Sequence, residues 1–203
     1  MLLHTWSLSV EEQYYLVFPL ILIFFVKSRF LIISILTILS LVLAEILISS
    51  DSSFSFYMLI TRFWELGVGS LISMYFNKHS LNAKSNLAND LFSIFGLLLI
   101  IIPVFYFDKF TKFPGANSLF PVVGTACIIV FSSQNNKIGK LLSNQYLVNI
   151  GLISYSLYLS HHVVITSFRL SLMDMDNNFI LIIALLLSIL LALISYKIVE
   201  LPI

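Results

Sequence analysis

The sequence predicts an all-α fold, a polytopic transmembrane helical bundle of about seven spans, and two observations lead to this class. The first is composition: of 203 residues, 59% are apolar and 10% are charged, and the mean hydropathy is +1.01. Soluble domains carry about 25% charged residues, so this chain has too few charges to cover a water-exposed surface. The second is that polar clusters divide the chain into apolar segments of membrane-spanning length.

Seven such segments follow one another, because a membrane-spanning helix needs about 20 mainly apolar residues and satisfies its own backbone hydrogen bonds. They run roughly from Leu8 to Val26, Phe30 to Ser49, Phe56 to Phe76, Leu91 to Phe107, Leu119 to Ser133, Tyr146 to Phe168 and Phe179 to Ile198. The fifth segment is short for a span. No internal repeat or long linker separates them, which predicts one integral-membrane domain over residues 1–203.

The distribution of basic residues predicts the orientation, since cytoplasmic loops near span ends collect Lys and Arg. One side of the alternation carries seven, which are Lys27, Arg29, Lys78, Lys84, Lys137, Lys140 and Lys197. The other side carries three, Lys109, Lys112 and Arg169, and Arg62 lies within a span. This asymmetry places Met1 outside and Ile203 inside.

Charge and cysteine content exclude several classes of function. Eleven Lys and Arg against ten Asp and Glu leave a net charge of +1, so no basic field is available to bind nucleic acid. The single cysteine, Cys127, supports neither a disulfide framework nor a cysteine-based metal site. His161 and His162 are adjacent rather than four apart, so they lack the spacing of a helical zinc site, and we expect no metal.

Polar residues open the first span, where Trp6, Ser7, Glu11 and Tyr15 precede an apolar run. Glu11 and Tyr15 are four residues apart and share one helical face. One interpretation is a helix start, with Ser7 or Ser9 as the N-cap, acids favoured by the helix dipole and aromatic residues at the interface. The other is a functional site, because ionisable groups at membrane depth need a partner or a role.

The third span carries a charged pair, Arg62 and Glu65, followed by Gly69 on the same helical stripe. The two charges can neutralise each other within the helix, with Gly67 and Gly69 allowing close helix packing. Alternatively, Arg62 faces an anionic group of a ligand and Glu65 orients the guanidinium.

Two further places combine polar residues with apolar spans. Ser154, Tyr158 and His161 fall on one stripe of a helix, where the histidine is either a hydrogen-bonded structural group or a proton-transfer group. Residues 112–121 form a Pro-Gly turn leading into a span, with Asn117 or Ser118 as its cap. Glu45, near the outer end of the second span, receives no role.

Four ordered blocks of the sequence resemble those of a known family. They are Trp6-Ser7-Leu8 with Glu11 and Tyr14-Tyr15; Phe56-Tyr57 with Arg62-Phe63-Trp64-Glu65-Leu66 and Gly69; Phe113-Pro114-Gly115-Ala116-Asn117 with Pro121 and Gly124; and Gly151 through Leu159 with His161. The closing Val199-Glu200-Leu201-Pro202 fits the same pattern. On these residues the chain resembles the acyltransferase 3 family, the multi-span membrane O-acyltransferases that modify bacterial surface sugars.

This resemblance implies O-acyl transfer, with acyl-CoA, expected to be acetyl-CoA, as donor and a hydroxyl of a surface polysaccharide or lipopolysaccharide sugar as acceptor. It implies a location in the bacterial cytoplasmic (inner) membrane, surrounded by membrane lipid, and no metal. The catalytic residues it implies are Glu11, which would orient or tune a base, and His161. The substrate-binding residues it implies are Trp6, Ser7, Tyr15, Arg62, Glu65, Asn117 and Tyr158.

The chain departs from the family in two respects. Ser160, His162 and Val163 stand where the family commonly has Trp and Pro around its histidine. The chain also opens at what resembles the family's fourth span, without the earlier spans that would hold an Arg, a His and a basic loop. We therefore expect a C-terminal portion that needs an N-terminal partner chain or a homo-oligomer. The alternatives are a non-catalytic remnant or subunit, and a small-solute transporter with Arg62, Glu65 and His161 along its path.

Overall fold

The computed structural model describes residues 5–78, 87–108, 111–133, 135–171 and 178–201, and all regular structure in these ranges is helical. The helices are α1 (Trp6–Phe24), α2 (Arg29–Leu47), α3 (Ser52–Tyr57), α4 (Leu59–Lys78), α5 (Leu87–Tyr106), α6 (Leu119–Phe131), α7 (Lys137–Leu142), α8 (Gln145–Ser171) and α9 (Asn178–Ser195). A 3₁₀ turn (Ala116–Ser118) precedes α6, and a π-helical turn (Tyr196–Glu200) follows α9. The predicted all-α class is confirmed.

Each of the seven predicted spans coincides with a helix of 13 or more residues, namely α1, α2, α4, α5, α6, α8 and α9. Five of these helices, α1, α2, α5, α8 and α9, are long and apolar enough to cross a membrane. The other two are α4, which carries Arg62 and Glu65, and α6, which has only 13 residues. The count of seven spans and the orientation stay predictions. Met1, Lys84, Lys109 and Ile203, which enter the orientation argument, and Pro202 of the closing block lie outside the described residues.

The chain divides into two compact units, one of Ser7–Leu141 and one of Leu142–Ile203 with Met1–Trp6. Within the first unit, α2 packs against α4, and α5 packs against α6. A core of Tyr14, Ile21, Ile33 and Phe63 joins α1 to α2 and α4.

Small and polar residues form the seam between α2 and α4. Ile33, Thr37, Ser40 and Ala44 are buried at helical spacing along α2. A Cβ atom added at Gly67 of α4 would lie 2.4 Å from Thr37 Oγ1, so the glycine permits this approach. Ser40 Oγ accepts a hydrogen bond from the backbone of α4, at Trp64 N, over 3.1 Å. Small-residue seams of this kind are typical of helix pairs in membranes.

The second unit is a helix pair with the same kind of seam. Ala184, Ser188 and Ala192 are buried at four-residue spacing along α9, where it packs against α8. Ser160 Oγ of α8 donates to the carbonyl oxygen of Ser188 over 3.2 Å, which ties the two helices together.

The outer surface is apolar, which is the reverse of the pattern in soluble proteins. Leu16 is 73% exposed, Phe24 is 74% exposed and Phe105 is 81% exposed, whereas several buried positions are serine or threonine. Lipid tails solvate such an apolar surface and water does not. Together with the five candidate spans, this makes the chain a multi-pass membrane protein.

Candidate functional site

Arg62 and Glu65 form an ion pair on α4, as their spacing predicts. Arg62 donates from Nε over 3.0 Å and from an Nη over 2.7 Å, and both bonds end on Oε2 of Glu65. The side chains are 19% and 18% exposed. The guanidinium carbon also lies 5.6 Å from the ring centroid of Phe56, on α3, where a cation is attracted to the ring face. Since Arg62 uses only one carboxylate oxygen, Oε1 of Glu65 is left out of this pair.

Glu65 stands in the wall of a groove of about 240 Å³ between α4 and α6. Its lining residues are otherwise mostly apolar: Val68, Gly69, Ile72, Pro121, Val122, Thr125, Ala126 and Ile129. The carboxylate of the ion pair therefore borders a mostly apolar groove.

The two glycines of α4 differ in what they contact, and one prediction about them is wrong. Gly67 packs closely on α2, as expected of a glycine at a helix interface, but a Cβ added at Gly69 would meet no atom within 4 Å. Gly69 faces the groove instead of a neighbouring helix. The shared stripe of Glu65 and Gly69 is thus a groove wall.

The first block lies on α1, with a correction to how the helix begins. The helix starts at Trp6 and has no acidic residue in its first turn, so Ser7 and Ser9 are inside it and neither is the N-cap. Trp6, Ser7 and Glu11 are partly buried, whereas Tyr15 is 68% exposed. Glu11 and Tyr15 lie on one uninterrupted helix. Their proposed roles stay predictions.

Sequence reasoning missed the neighbours that anchor this block. Tyr14 is 5% exposed, and its hydroxyl lies 2.6 Å from Oγ of Ser70 on α4. Its ring stacks on Phe18 at a centroid distance of 4.9 Å. Gln13 Oε1 accepts a bond from the backbone N–H of Leu59 over 3.3 Å. The helical spacing of the apolar residues Val10, Tyr14 and Ile21 could have predicted this contact, because it places Tyr14 rather than Tyr15 on the buried face of α1.

The turn before α6 contains Asn117, whose Nδ2 donates to the carbonyl oxygen of Lys112 over 3.2 Å. Ser118 takes the N-cap position but makes no side-chain cap bond. The carboxylate of Glu45 accepts a bond from the backbone N–H of Ala116 over 2.8 Å. Glu45 therefore holds this turn from α2. The sequence did not predict this role, because Glu45 and Ala116 are 71 residues apart and no local pattern relates them.

In the second unit, Ser154, Tyr158 and His161 share one groove, as their helical spacing predicts. The groove has about 470 Å³ and lies between α8 and α9, where Leu185, Ser188 and Ile189 form its other wall. The rings of Tyr158 and His161 are 5.9 Å apart between centroids. An aromatic hydroxyl and an imidazole therefore face the same apolar space.

The hydrogen bond of His161 fixes which ring nitrogen carries the proton. Nδ1 lies 2.9 Å from the carbonyl oxygen of Leu157. A carbonyl only accepts, so Nδ1 donates, and in the neutral ring Nε2 is then the atom with the lone pair. Such a bond suits a structural histidine and also orients the ring of a base.

A hydrogen bond joins the fourth block to the closing block of the sequence. Ser156 Oγ donates to Glu200 Oε1 over 2.5 Å, joining α8 to the π-helical turn within the closing block. In the described part of the chain, no three His, Cys, Asp or Glu side chains come together as a metal site requires.

The helices and the charged groups on them define a multi-pass membrane protein, and comparison with known proteins narrows the class. The family model described as an acyltransferase domain matches residues 1–197, and the chain belongs to this acyltransferase 3 family. The resemblance stated from the four blocks is confirmed. No solved structure matches the chain.

Curated relatives cover most of this chain but are longer than it. An uncharacterized protein of Haemophilus influenzae is 38% identical over an alignment that covers 66% of this chain and 60% of that protein. The O-acetyltransferase OatA of Staphylococcus aureus is 29% identical over 98% of this chain and 36% of its own length. The putative peptidoglycan O-acetyltransferase YrhL of Bacillus subtilis is 26% identical over 98% of this chain and 34% of its own length.

Proposed function

We propose that this chain takes part in membrane O-acetyl transfer, from acetyl-CoA to a hydroxyl of a surface glycan. The observation that carries the proposal is the acyltransferase family match over residues 1–197. The names of OatA and YrhL, both O-acetyltransferases, support acetyl as the group moved, and the name of YrhL supports a glycan such as peptidoglycan as acceptor. A cytoplasmic, or inner, membrane location follows, because acyl-CoA is supplied on the cytoplasmic side.

The chemistry needs a base for the sugar hydroxyl, stabilisation of the negative charge that forms on the thioester oxygen, and a place for both substrates. His161 suits the base, since its bond to the Leu157 carbonyl orients an imidazole that borders a groove. We assign Glu11 to orient or tune a base, and Arg62 with Glu65 to the acyl path along the α4–α6 groove. Trp6, Ser7, Tyr15, Asn117 and Tyr158 are assigned to substrate contacts.

A partner is part of the proposal. The chain spans 60% or less of the length of the curated relatives given above. We therefore propose that catalysis needs a further polypeptide segment, supplied by an N-terminal partner chain or a second copy. A non-catalytic subunit that needs such a partner is the second candidate. Family membership gives no support to a small-solute transporter.

The experiment measures acetyl transfer in membranes that contain the chain. Radiolabelled acetyl-CoA and purified peptidoglycan are added, and alkali-labile label on the glycan is counted. The chain is expressed alone and together with the preceding segment of OatA. We expect labelling in the second case, and a loss of about 100-fold with Glu11→Gln or His161→Gln, in the range of general acid–base contributions.

Glu12→Gln is the matched control, because Glu12 is the adjacent, exposed carboxylate on the same helix. It should label like the parent chain. Labelling that needs the partner segment but is unchanged in both test variants would identify a non-catalytic subunit. Labelling in neither expression would contradict acetyl transfer to this glycan.

A further inference from the structure

A second cavity of the first unit is unrelated to the residues assigned to acyl transfer. It has about 530 Å³, within the range of about 300–1,000 Å³ typical of ligand sites. It lies where α1 ends, α2 begins and the second half of α4 passes beside them. Its lining residues are Phe18, Leu22, Val26, Lys27, Arg29, Phe30, Ser70, Ser73 and Met74.

The cavity carries two cations. Lys27 and Arg29 are exposed and both line it. Within the described ranges the only Lys or Arg ion pair is that of Arg62, so neither Lys27 nor Arg29 is neutralised by a described carboxylate. The residues that line the cavity therefore include two positive charges, those of Lys27 and Arg29, and no carboxylate.

The remaining walls supply hydrocarbon and hydroxyl groups. Phe18, Leu22 and Met74 are partly buried and apolar. Ser70 and Ser73 of α4 are three residues apart and face the same cavity, and Ser70 is held in place by its contact with the Tyr14 hydroxyl. A ligand that fits would present negative charge to Lys27 and Arg29 and an apolar portion to the side chains deeper along the helices.

The position of the cavity indicates where such a ligand would come from. α1 and α2 are both candidate membrane spans, and the cavity lies at the turn between them, where the helices leave the hydrocarbon. Lipid phosphates occupy this level of a bilayer, and basic pockets between transmembrane helices attract anionic headgroups.

We propose that this cavity binds the phosphate ester of an amphiphile, and that the amphiphile is an anionic membrane phospholipid. Lys27 and Arg29 contact the phosphate by charge-assisted hydrogen bonds, Ser73 contributes a hydroxyl, and an acyl chain lies along Leu22 and Met74. This binding is independent of acyl transfer, because none of these residues is assigned to that reaction.

The test titrates the purified full chain in detergent with phosphatidylglycerol or with zwitterionic phosphatidylcholine, and counts bound lipid by native mass spectrometry. The test variant is Lys27→Gln with Arg29→Gln. The control is Lys137→Gln with Lys140→Gln, which removes the same charge from exposed residues of α7 that line none of this cavity. Free coenzyme A is added as a competitor, because it carries phosphate esters without a long hydrocarbon chain. Thermal stability in detergent checks that every variant is folded.

We expect the parent chain and the control to prefer phosphatidylglycerol about tenfold, and the test variant to lose that preference. The preference should also weaken as ionic strength rises. Equal loss in the control would show diffuse surface attraction and overturn the proposal. Displacement of phosphatidylglycerol by micromolar coenzyme A, abolished by the test variant, would overturn the lipid as occupant and assign the same phosphate site to the donor. An unchanged preference in the test variant would overturn the site.

Discussion

Gly96 of α5 and Gly124 of α6 meet backbone to backbone. A Cβ atom added at Gly96 would lie 2.7 Å from the carbonyl oxygen of Gly124, and one added at Gly124 would lie 2.7 Å from the carbonyl oxygen of Gly96. Both residues are buried. The obstructing atoms belong to the backbone, so they cannot move aside as a flexible side chain would. The α5–α6 contact therefore depends on the absence of side chains at these two positions.

Gly96→Ala and Gly124→Ala should each destabilise the protein by about 1–3 kcal/mol, the usual cost of overpacking. Gly69→Ala and Gly151→Ala are the matched controls, since a Cβ at either position meets nothing within 4 Å. In these controls the higher helix propensity of alanine should raise stability by up to about 1 kcal/mol. Thermal unfolding in detergent measures all four variants. The same sign of effect in both pairs would contradict the packing argument.

Asn136 holds together the segment between α6 and α7. Its Oδ1 accepts from Gly139 N over 2.7 Å and from Ser133 N over 3.3 Å. Its Nδ2 donates to Phe131 O over 2.8 Å and to Ser93 Oγ over 3.2 Å. The side chain is 1% exposed, so water cannot replace these bonds.

Asn136→Ala should therefore cost about 2–3 kcal/mol, because it leaves buried backbone donors without acceptors. The control is Asn135→Ala, at the exposed neighbouring position, which should change stability by about 0.5 kcal/mol or less. Unfolding in detergent again provides the comparison. If the two variants were equally stable, the bonds of Asn136 would contribute little.

The ion pair of α4 can be tested for function separately from structure. Arg62→Ala and Glu65→Gln should each lower glycan acetylation at least about tenfold, since either change removes a charged contact in a poorly solvated site. Acetylation by Arg62→Lys should lie between that of these two variants and that of the parent chain. Lysine keeps the positive charge but lacks the guanidinium, whose two N–H groups converge on one oxygen of Glu65. Membrane insertion, followed by membrane fractionation, should be unchanged.

Exchanging the partners, Arg62→Glu with Glu65→Arg, decides what the pair does. The exchange keeps the internal neutralisation but places the carboxylate and the guanidinium differently toward the groove. The exchanged variant should be as stable as the parent chain, but its glycan acetylation should stay as low as that of the single variants. Recovery of acetylation as well would show that the pair is purely structural.

Glu45→Ala should loosen the turn before α6, because the backbone N–H of Ala116 loses its carboxylate acceptor. A loss of about 1 kcal/mol corresponds to about fivefold more of the open turn. Trypsin cleavage after Lys112, an exposed residue of the turn, should accelerate by that factor, as measured by fragment mass. Glu12→Ala removes an exposed carboxylate elsewhere and should leave the rate unaltered. Equal rates in the two variants would mean that Glu45 does not hold the turn.

Much of the fold was predictable from short-range patterns. Apolar segments located all seven long helices, and the i, i+3 spacing of Arg62 and Glu65 predicted their ion pair, because both patterns follow from the geometry of one helix. The groove shared by Tyr158 and His161 followed from the same spacing. The N-cap assignment at Ser7 or Ser9 was wrong, since helix ends depend on a few residues and shift easily.

The sequence alone determined the membrane class, the helices and the family, because composition, periodicity and ordered blocks are properties of the chain read in one dimension. Only the tertiary structure decided which residues meet across helices. The contact of Glu45 with Ala116, the Tyr14–Ser70 bond and the Gly96–Gly124 crossing each join residues far apart in sequence. Such pairs depend on how helices rotate and approach one another. Packing between whole helices sets that rotation, and no single segment encodes it.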